Sequence, residues 1–243
     1  MGDLRRHSRV VPLGFAAIQV FRREGLGLED LVIKRQHQMH MTARWAAISA
    51  QHGFPLLAHE YLALFRRPED RPTTAAPDRQ PADEAHEAPS APPFDRTVTP
   101  GTTVWSLPHA QLEAALPALA RRVFGQRESV NDLLFLRAPQ LLTHAGVDPS
   151  ATLDRWLHRA TRKLTPGGIL AIEARDVRLA GVLQPLGLEV CRALRRQRGL
   201  RLREIIAAVP QEATTRRTPP TEPLTITHRY LLIASCDPAA LTL

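Results

Sequence analysis

The sequence is poor in lysine and cysteine and has no long apolar run. Of its 32 lysine and arginine residues only Lys34 and Lys163 are lysines, and the two cysteines, Cys191 and Cys236, are too few for a disulfide framework or a metal set. No stretch approaches the roughly 18 uninterrupted apolar residues of a membrane-spanning helix, and Met1 is not followed by the apolar core of a signal peptide. The histidines at positions 37, 40, 52 and 59 match no zinc-ligand spacing. These absences predict a cytoplasmic protein with no membrane anchor and no metal site.

Arginine is what the chain has in excess. The net charge is +8 and the isoelectric point is about 10.8. This balance favours polyanionic partners, nucleic acid first and an anionic membrane surface second. Arginine pairs recur at 5–6, 22–23, 66–67, 121–122, 195–196 and 216–217, and they form either a common phosphate-binding surface or separate solvated helix faces. Biased codon usage is the alternative explanation for a chain rich in arginine, alanine and proline.

A proline-rich stretch divides the chain. Between residues 68 and 100, Phe94 and Val98 are the only large apolar side chains. Such a segment cannot bury enough apolar surface to offset the entropy lost on ordering it. We therefore expect a disordered linker over residues 68–98, which separates an N-terminal piece, residues 1–67, from a C-terminal piece, residues 99–243.

The two pieces match each other in four places that keep the same order. An Asp-x-Arg pattern, a Pro-Leu-Gly, a Gly-Leu-x-Leu and a His-x-Tyr-Leu occur in each piece at nearly constant offset, which predicts a duplication or a fusion of two related units. Each unit is expected to form a helix followed by two strands. The matched segments are Asp3–Arg5 with Asp176–Arg178, Pro12–Gly14 with Pro185–Gly187, Gly25–Ile33 with Gly199–Ala207, and His59–Phe65 with His228–Ala234.

The C-terminal piece carries a longer alternation of elements. Apolar periodicity predicts helices over 111–124, 151–164 and 183–194, alternating with strands at 132–136, 169–174 and 204–209, and the His-x-Tyr-Leu segment is expected as a closing hairpin strand. This alternation favours an α/β fold with a doubly wound, parallel sheet. The N-terminal piece matches only the end of the series, so we expect two unequal repeated units, the first without its front.

The same landmarks resemble those of the DNA N4-cytosine/N6-adenine methyltransferases. The segment KLTPGGILAIEARDVR (Lys163–Arg178) is similar to that family's Lys-Pro-Gly-Gly helix end and the sheet strand after it. AHEYLALFRRPE (Ala58–Glu69) is similar to its His-Glu-Tyr-Leu-Leu-Val-Phe-Arg-Lys-Pro strand. The resemblance covers residues 2–69 and 104–236, and it implies a Rossmann-like methyltransferase sheet, here incomplete, with S-adenosylmethionine as cofactor and DNA as substrate.

The catalytic loop of that family does not survive in this sequence. The family's loop reads [Asp/Asn/Ser]-Pro-Pro-[Tyr/Phe]; its first side chain accepts a hydrogen bond from the exocyclic amine, and its ring stacks on a flipped-out base. The corresponding positions here are Arg137, Ala138, Pro139 and Gln140, and an arginine side chain has no acceptor. No Phe-x-Gly-x-Gly cofactor loop is recognisable either. The degenerate loop predicts a chain that does not transfer methyl groups.

Two acid–arginine pairs stand at matching places in the two units. Asp176 and Arg178 follow the predicted strand at 169–174, and Asp3 and Arg5 hold the same place in the first unit. Ligands of doubly wound folds bind at the carboxyl ends of strands, which makes these four residues candidates for a substrate or cofactor cleft. The structural alternative is an aspartate at a helix start with a local ion pair.

Three functions remain open from the sequence. The first is an active DNA methyltransferase that uses S-adenosylmethionine. The second is a pseudoenzyme that binds DNA or serves as a scaffold for an active methyltransferase subunit. The third is a truncated gene remnant. The lost acceptor and the positive charge favour the second.

Overall fold

The computed structural model describes residues 1–6, 9–35, 48–49, 51, 56–67, 104–107, 115–120, 133–138, 149–179, 182–210, 226 and 228–237. These residues form a mixed α/β fold, as the alternation of helical and strand patterns predicts. The expected linker at 68–98 lies outside the described residues. None of the helices in the described ranges is long and apolar enough to cross a membrane.

The N-terminal piece folds as two short strands, a helix and two longer strands. The short strands pair as one antiparallel hairpin, and the two longer strands pair as another. The elements are β1 (Leu4–Arg6), β2 (Arg9–Val11), α1 (Leu13–Arg23), β3 (Gly27–Arg35) and β4 (His59–Arg66).

The C-terminal piece repeats that order after a longer beginning. Its final five elements are again a short antiparallel hairpin, a helix and two long antiparallel strands. The elements are β5 (Val104–Leu107), a helical segment over 115–120, β6 (Leu133–Arg137), α2 (Pro149–Lys163), β7 (Ile169–Ala174), β8 (Val177–Leu179), β9 (Val182–Gln184), α3 (Leu186–Arg196), β10 (Leu200–Pro210) and β11 (Arg229–Cys236).

Five strands of the C-terminal piece form one mixed sheet in the order β5-β10-β11-β7-β6. The pairs β5–β10 and β6–β7 are parallel, whereas β11 runs antiparallel to both of its neighbours. β11 is the His-x-Tyr-Leu strand, and its pairing with β10 is that of the expected hairpin strand. It enters the sheet between β10 and β7.

Both faces of this sheet carry apolar clusters, because alternate residues of a strand point to opposite faces. In β11, Tyr230 and Leu232 join a cluster to which α1, α2 and α3 all contribute, while Leu231 and Ile233 join a second cluster around Trp105 and the helical segment over 115–120. The near-continuous apolar runs of β7 and β11 are typical of strands that are buried on both faces.

Matching positions of the two pieces adopt the same local geometry. α1 and α3 both begin directly after a proline, and the turns after them contain Gly25 and Gly199 at φ values of +84° and +90°, a left-handed conformation that favours glycine. β3 and β10 each carry a register shift at the same relative place, between Leu28 and Asp30 and between Leu202 and Glu204.

The two pieces contact each other in a reciprocal manner. β2 packs beside β10, and β9, its counterpart, packs beside β3. The guanidinium of Arg5 donates two hydrogen bonds to the Glu204 carboxylate, at 2.7 and 2.5 Å, and that of Arg178 donates to Asp30 at 2.6 Å. Because Arg5 matches Arg178 in sequence and Asp30 matches Glu204, these contacts have the form of an approximate two-fold relation.

Gly14 and Gly187 allow their helices to lie directly against a tyrosine ring. A Cβ atom on Gly14 would come within 2.0 Å of the Tyr61 ring, and one on Gly187 within 2.6 Å of the Tyr230 ring. We expect Gly14→Ala and Gly187→Ala each to lower the free energy of unfolding by about 1–3 kcal/mol, because the ring must move in a packed interior. Urea unfolding measures this.

The matched control is Gly27→Ala. There the added Cβ atom would meet only the Arg66 carbonyl oxygen at 3.6 Å, so the change is expected to cost less than either helix variant. Equal losses for all three alanine variants would contradict the close helix–ring contact.

Candidate functional site

The carboxyl end of β6 is where the sequence places the degenerate catalytic loop. The parallel register sets Arg137 opposite Glu173 of β7, and Nε of Arg137 lies 3.5 Å from Oε2 of Glu173. That carboxylate is buried and also accepts a hydrogen bond from Arg229 at 2.5 Å. The Ala138 N–H donates to the Glu173 carbonyl at 2.8 Å, which holds the chain directly after the strand. Pro139 and Gln140 lie outside the described residues.

The buried Glu173 carboxylate thus lies between two arginines, Arg137 and Arg229, and holds the Arg137 side chain in place. A guanidinium is charged at any accessible pH and offers donors only. In the described part of the chain, no group of three or more histidine, cysteine, aspartate or glutamate side chains could hold a metal ion. At this strand end the Arg137 side chain can donate hydrogen bonds but cannot accept one.

Asp3 and Asp176 lie in two buried networks of the same composition. Oδ1 of Asp3 accepts the N–H of Gly14 at 3.2 Å, which satisfies one of the free amides in the first turn of α1. Oδ2 of Asp3 accepts the hydroxyl of Tyr61 at 3.1 Å and lies 3.4 Å from Nε2 of His59. Each carboxylate therefore joins a helix start to a strand.

The second network makes the equivalent contacts in the C-terminal piece. Asp176 accepts the Gly187 N–H at 3.2 Å and the Tyr230 hydroxyl at 3.4 Å, and its Oδ2 atom lies 3.4 Å from Nε2 of His228. The ring of Phe15 packs between the two tyrosines, with its centroid 5.1 Å from that of Tyr61 and 5.5 Å from that of Tyr230. The two networks are therefore close neighbours at the centre of the protein.

Arg5 and Arg178 lie apart from both networks. Each makes one of the reciprocal ion pairs between the pieces, with side-chain exposures of 14% for Arg5 and 15% for Arg178. The four residues that the sequence singled out for a cleft thus occupy the centre and the contact surface of the two pieces. Asp3 and Asp176 hold helix starts, and the arginines hold carboxylates of the opposite piece.

Burial keeps the groups around these networks protonated. Desolvation first, and then the negative charge of Asp3, raise the pKa of Tyr61 well above its ordinary value, and desolvation and Asp176 act on Tyr230 in the same way. Burial and then Asp3 also raise the pKa of Cys191 from 9.0 to about 12. Both phenols therefore donate to their carboxylates, and the Cys191 thiol is not a nucleophile at neutral pH.

The three helices form a layer with a basic outer surface. Their inner sides join one apolar cluster, with α3 linked to α1 by the pair Arg22–Glu189 and to α2 by the pair Arg196–Asp154. Gln19, Arg22, Arg23 and Arg192 line one surface depression between α1 and α3. A second depression, between α2 and α3, is lined by Asp154, Arg155, His158, Arg159 and Gln197.

α2 contributes more basic residues to this layer than either α1 or α3 does. Arg155, Arg159, Arg162 and Lys163 are exposed and recur at helical spacing beside the exposed His158, whereas Leu153, Leu157 and Ala160 are buried. The guanidinium of Arg159 lies 6.0 Å from the centre of the half-exposed Trp156 ring. The arginine pairs in the sequence did not indicate the basic surface of α2. The signal that could have indicated it is the recurrence of basic residues at intervals of three and four along 155–163.

Comparison with known proteins yields one structural similarity. The chain resembles a protein from Thermus thermophilus that is provisionally described as a DNA modification methylase, with 23% sequence identity and a TM-score of 0.36. The similarity covers 49% of this chain and 50% of that one, so it spans half the length of the related structure. No protein-family model and no curated protein matches the chain.

The raised pKa values predict a loss of stability in alkali. The folded protein keeps protons on Cys191, Tyr61 and Tyr230 at pH values where the unfolded chain releases them, so the free energy of unfolding is unaffected below about pH 8 and falls as the pH rises further. Each such group contributes a slope of about 1.4 kcal/mol per pH unit. Urea unfolding between pH 7 and pH 11 measures the curve.

The Cys191→Ala variant isolates one of these protons. Whatever its stability at pH 7, its curve should fall less steeply than the original between about pH 9 and pH 11, by the slope of a single group. Parallel curves would show that the Cys191 thiol ionises equally in both states.

Proposed function

We propose that this protein is a DNA-methyltransferase-like pseudoenzyme that binds nucleic acid and does not transfer methyl groups. The observation that carries the proposal is the ion pair between Arg137 and the buried Glu173 at the end of β6. At this place an active enzyme of that kind needs a hydrogen-bond acceptor for the exocyclic amine of the base. The acceptor directs the nitrogen lone pair toward the methyl group, and a guanidinium cannot perform that role.

The residues at this strand end do not fit S-adenosylmethionine chemistry. The cofactor carries a positively charged sulfonium, and in the described part of the chain Arg137 and Arg229 share one buried carboxylate, that of Glu173, at this strand end. A like charge near the sulfonium opposes its binding. We therefore propose no cofactor for this chain.

The basic outer surface of the helix layer supports the proposal that the protein binds nucleic acid. Phosphate groups along a nucleic-acid backbone are neutralised by exposed arginines and lysines, and α2 presents four of them on one side. Arginine suits this task because its planar fork can donate two hydrogen bonds to one phosphate. The net charge of +8 adds long-range attraction to any polyanion.

The domain organisation belongs to the same proposal. We propose that residues 1–67 and 99–243 derive from one kind of methyltransferase-like unit, that the first retains only the final elements of it, and that 68–98 is a linker. The equal contacts made by Asp3 and Asp176 support this. As a scaffold, such a protein would act beside a catalytic methyltransferase subunit; this is the second candidate function, and the exposed apolar side chains of β4 favour it.

A triple variant of α2 tests nucleic-acid binding. We expect Arg155→Gln, Arg159→Gln and Arg162→Gln together to weaken binding of a fluorescent DNA duplex because phosphate contacts are lost. The slope of log affinity against log salt should fall by about 0.9 for each contact removed. Fluorescence anisotropy over a series of NaCl concentrations gives both quantities.

The matched control removes exposed charges outside the layer. Arg6→Gln with Arg9→Gln changes two exposed arginines of the β1–β2 hairpin and should leave the salt slope nearly unchanged. Effects of the two variants that are equal per charge removed would contradict a localised interface and indicate attraction by net charge alone.

Calorimetric titration with S-adenosylmethionine tests the proposal that the protein does not transfer methyl groups. We expect no heat of binding at micromolar cofactor, with or without duplex DNA, from a protein that unfolds cooperatively. Saturable binding together with methyl transfer to DNA would overturn the pseudoenzyme proposal and restore an active methyltransferase. A chain that does not unfold cooperatively would instead point to a gene remnant.

A further inference from the structure

A basic depression lies where α1 of the N-terminal piece meets α3 of the C-terminal piece. Its volume is about 200 Å³, and it is lined by Gln19, Arg22 and Arg23 of α1 and by Arg192 of α3. Pockets that take a drug-sized molecule have volumes of roughly 300–1,000 Å³. The depression therefore has room for one small group, and three of its four lining side chains are cations.

One carboxylate holds two of these arginines in place. Glu189 of α3 accepts a hydrogen bond from Arg22 at 3.2 Å and another from Arg192, one turn along its own helix, at 3.1 Å. A guanidinium has more N–H donors than one carboxylate can engage, so both arginines keep donors for a ligand. Because Glu189 already restricts both side chains, less conformational entropy is lost when a ligand binds between them.

The other two lining side chains have no partner of their own. In the described part of the chain, neither Gln19 nor Arg23 makes a side-chain hydrogen bond or an ion pair. The three guanidinium charges and the single Glu189 carboxylate leave a local net charge of +2. The depression thus has an excess of both positive charge and hydrogen-bond donors.

The internal repeat places this depression at the junction of the two pieces. The offset that aligns Gly14 with Gly187 also aligns Gln19 with Arg192. These equivalent residues line the same depression, as expected of a place on the axis of the approximate two-fold relation. A ligand bound there contacts a helix of each piece.

We propose that this depression binds a dianionic phosphoryl group, either free phosphate or the terminal phosphate of a nucleotide. A phosphate monoester carries close to two negative charges at neutral pH and three strongly accepting oxygens, which match the charge and the donors of the depression. Arginine suits such a group because its planar fork can donate two hydrogen bonds to it. A backbone phosphodiester has one negative charge fewer and complements the depression less well. The proposal is separate from nucleic-acid binding by α2, since no residue of α2 lines the depression.

The probes are adenosine 5′-monophosphate, its 3′,5′-cyclic diester and inorganic phosphate, each titrated into the full chain by calorimetry at low salt. We expect one-to-one binding of the monophosphate and weaker binding of the cyclic diester, which has the same base and sugar but one charge fewer. Equal affinity for inorganic phosphate would assign the site to the phosphoryl group alone. Tighter binding of the monophosphate would assign it to a nucleotide.

Three protein variants locate the site. Arg23→Gln should weaken binding of the monophosphate by about fivefold, the equivalent of about 1 kcal/mol for a half-exposed charge pair, and Gln19→Arg should strengthen it by adding a cation. The matched control is Arg198→Gln, which removes an exposed arginine just after α3 and outside the depression. None of the three replaced side chains makes an ion pair in the described ranges, so all three variants should keep the fold.

Four results would overturn the proposal. The first is equal affinity for the monophosphate and the cyclic diester, which would indicate a site for backbone phosphates. The second is an equal effect of Arg23→Gln and Arg198→Gln, which would indicate attraction by net charge alone. The third is a chain that unfolds cooperatively but binds neither the monophosphate nor phosphate at millimolar concentration. The last is loss of monophosphate binding in the triple variant of α2, which would place the ligand on that helix; weak DNA binding by the same variant leaves this proposal intact.

Discussion

Two buried carboxylates organise this structure. A charge without hydrogen bonds would be very costly in the interior, so each aspartate must find donors for both oxygens. Asp3 takes a helix amide and a tyrosine hydroxyl, and Asp176 takes the equivalent pair. Those donors require the helix start to lie against the ring, which in turn requires glycine at position 14 and at position 187. The need of each buried aspartate for hydrogen-bond donors thus sets the distance between helix and strand in both pieces.

The contact between the two pieces follows from the same repetition. Each presents a basic side chain and an acidic side chain at matching places, so the Arg5–Glu204 and Arg178–Asp30 pairs form together and in opposite directions. Both are largely buried, so loss of either partner would leave a charge with little solvation. A fragment as short as residues 1–67 is marginally stable alone, because a small domain buries a small fraction of its surface. The C-terminal piece supplies what it lacks, because β10 and the ring of Tyr230 complete its core.

The arginines at the end of β6 and those on the helix layer lie in different surroundings. At the end of β6 the strand register directs Arg137 onto a buried carboxylate, where its charge is neutralised. On the helix layer the arginines of α2 face water, where their charge is available to phosphates. The same residue type therefore holds the fold together in one place and supports the proposed interface in another. The two roles differ because Arg137 lies against a buried carboxylate, whereas the arginines of α2 are exposed.

The local pattern of apolar residues determined much of the secondary structure. Apolar periodicity predicted α1, α2 and α3, and the apolar runs predicted the strands β3, β4, β6, β7, β10 and β11, because side-chain spacing acts over a few positions. The short strands β1, β2, β5, β8 and β9 were not predicted. The roles of Asp3 and Arg5 were not decided locally. Their partners Tyr61 and Glu204 lie 58 and 199 residues away, and only the packed structure brings these residues together. Tertiary structure alone also decided the sheet neighbours: β4 and β11 share the His-x-Tyr-Leu pattern, yet among the described strands β4 pairs with β3 alone and β11 pairs with both β10 and β7.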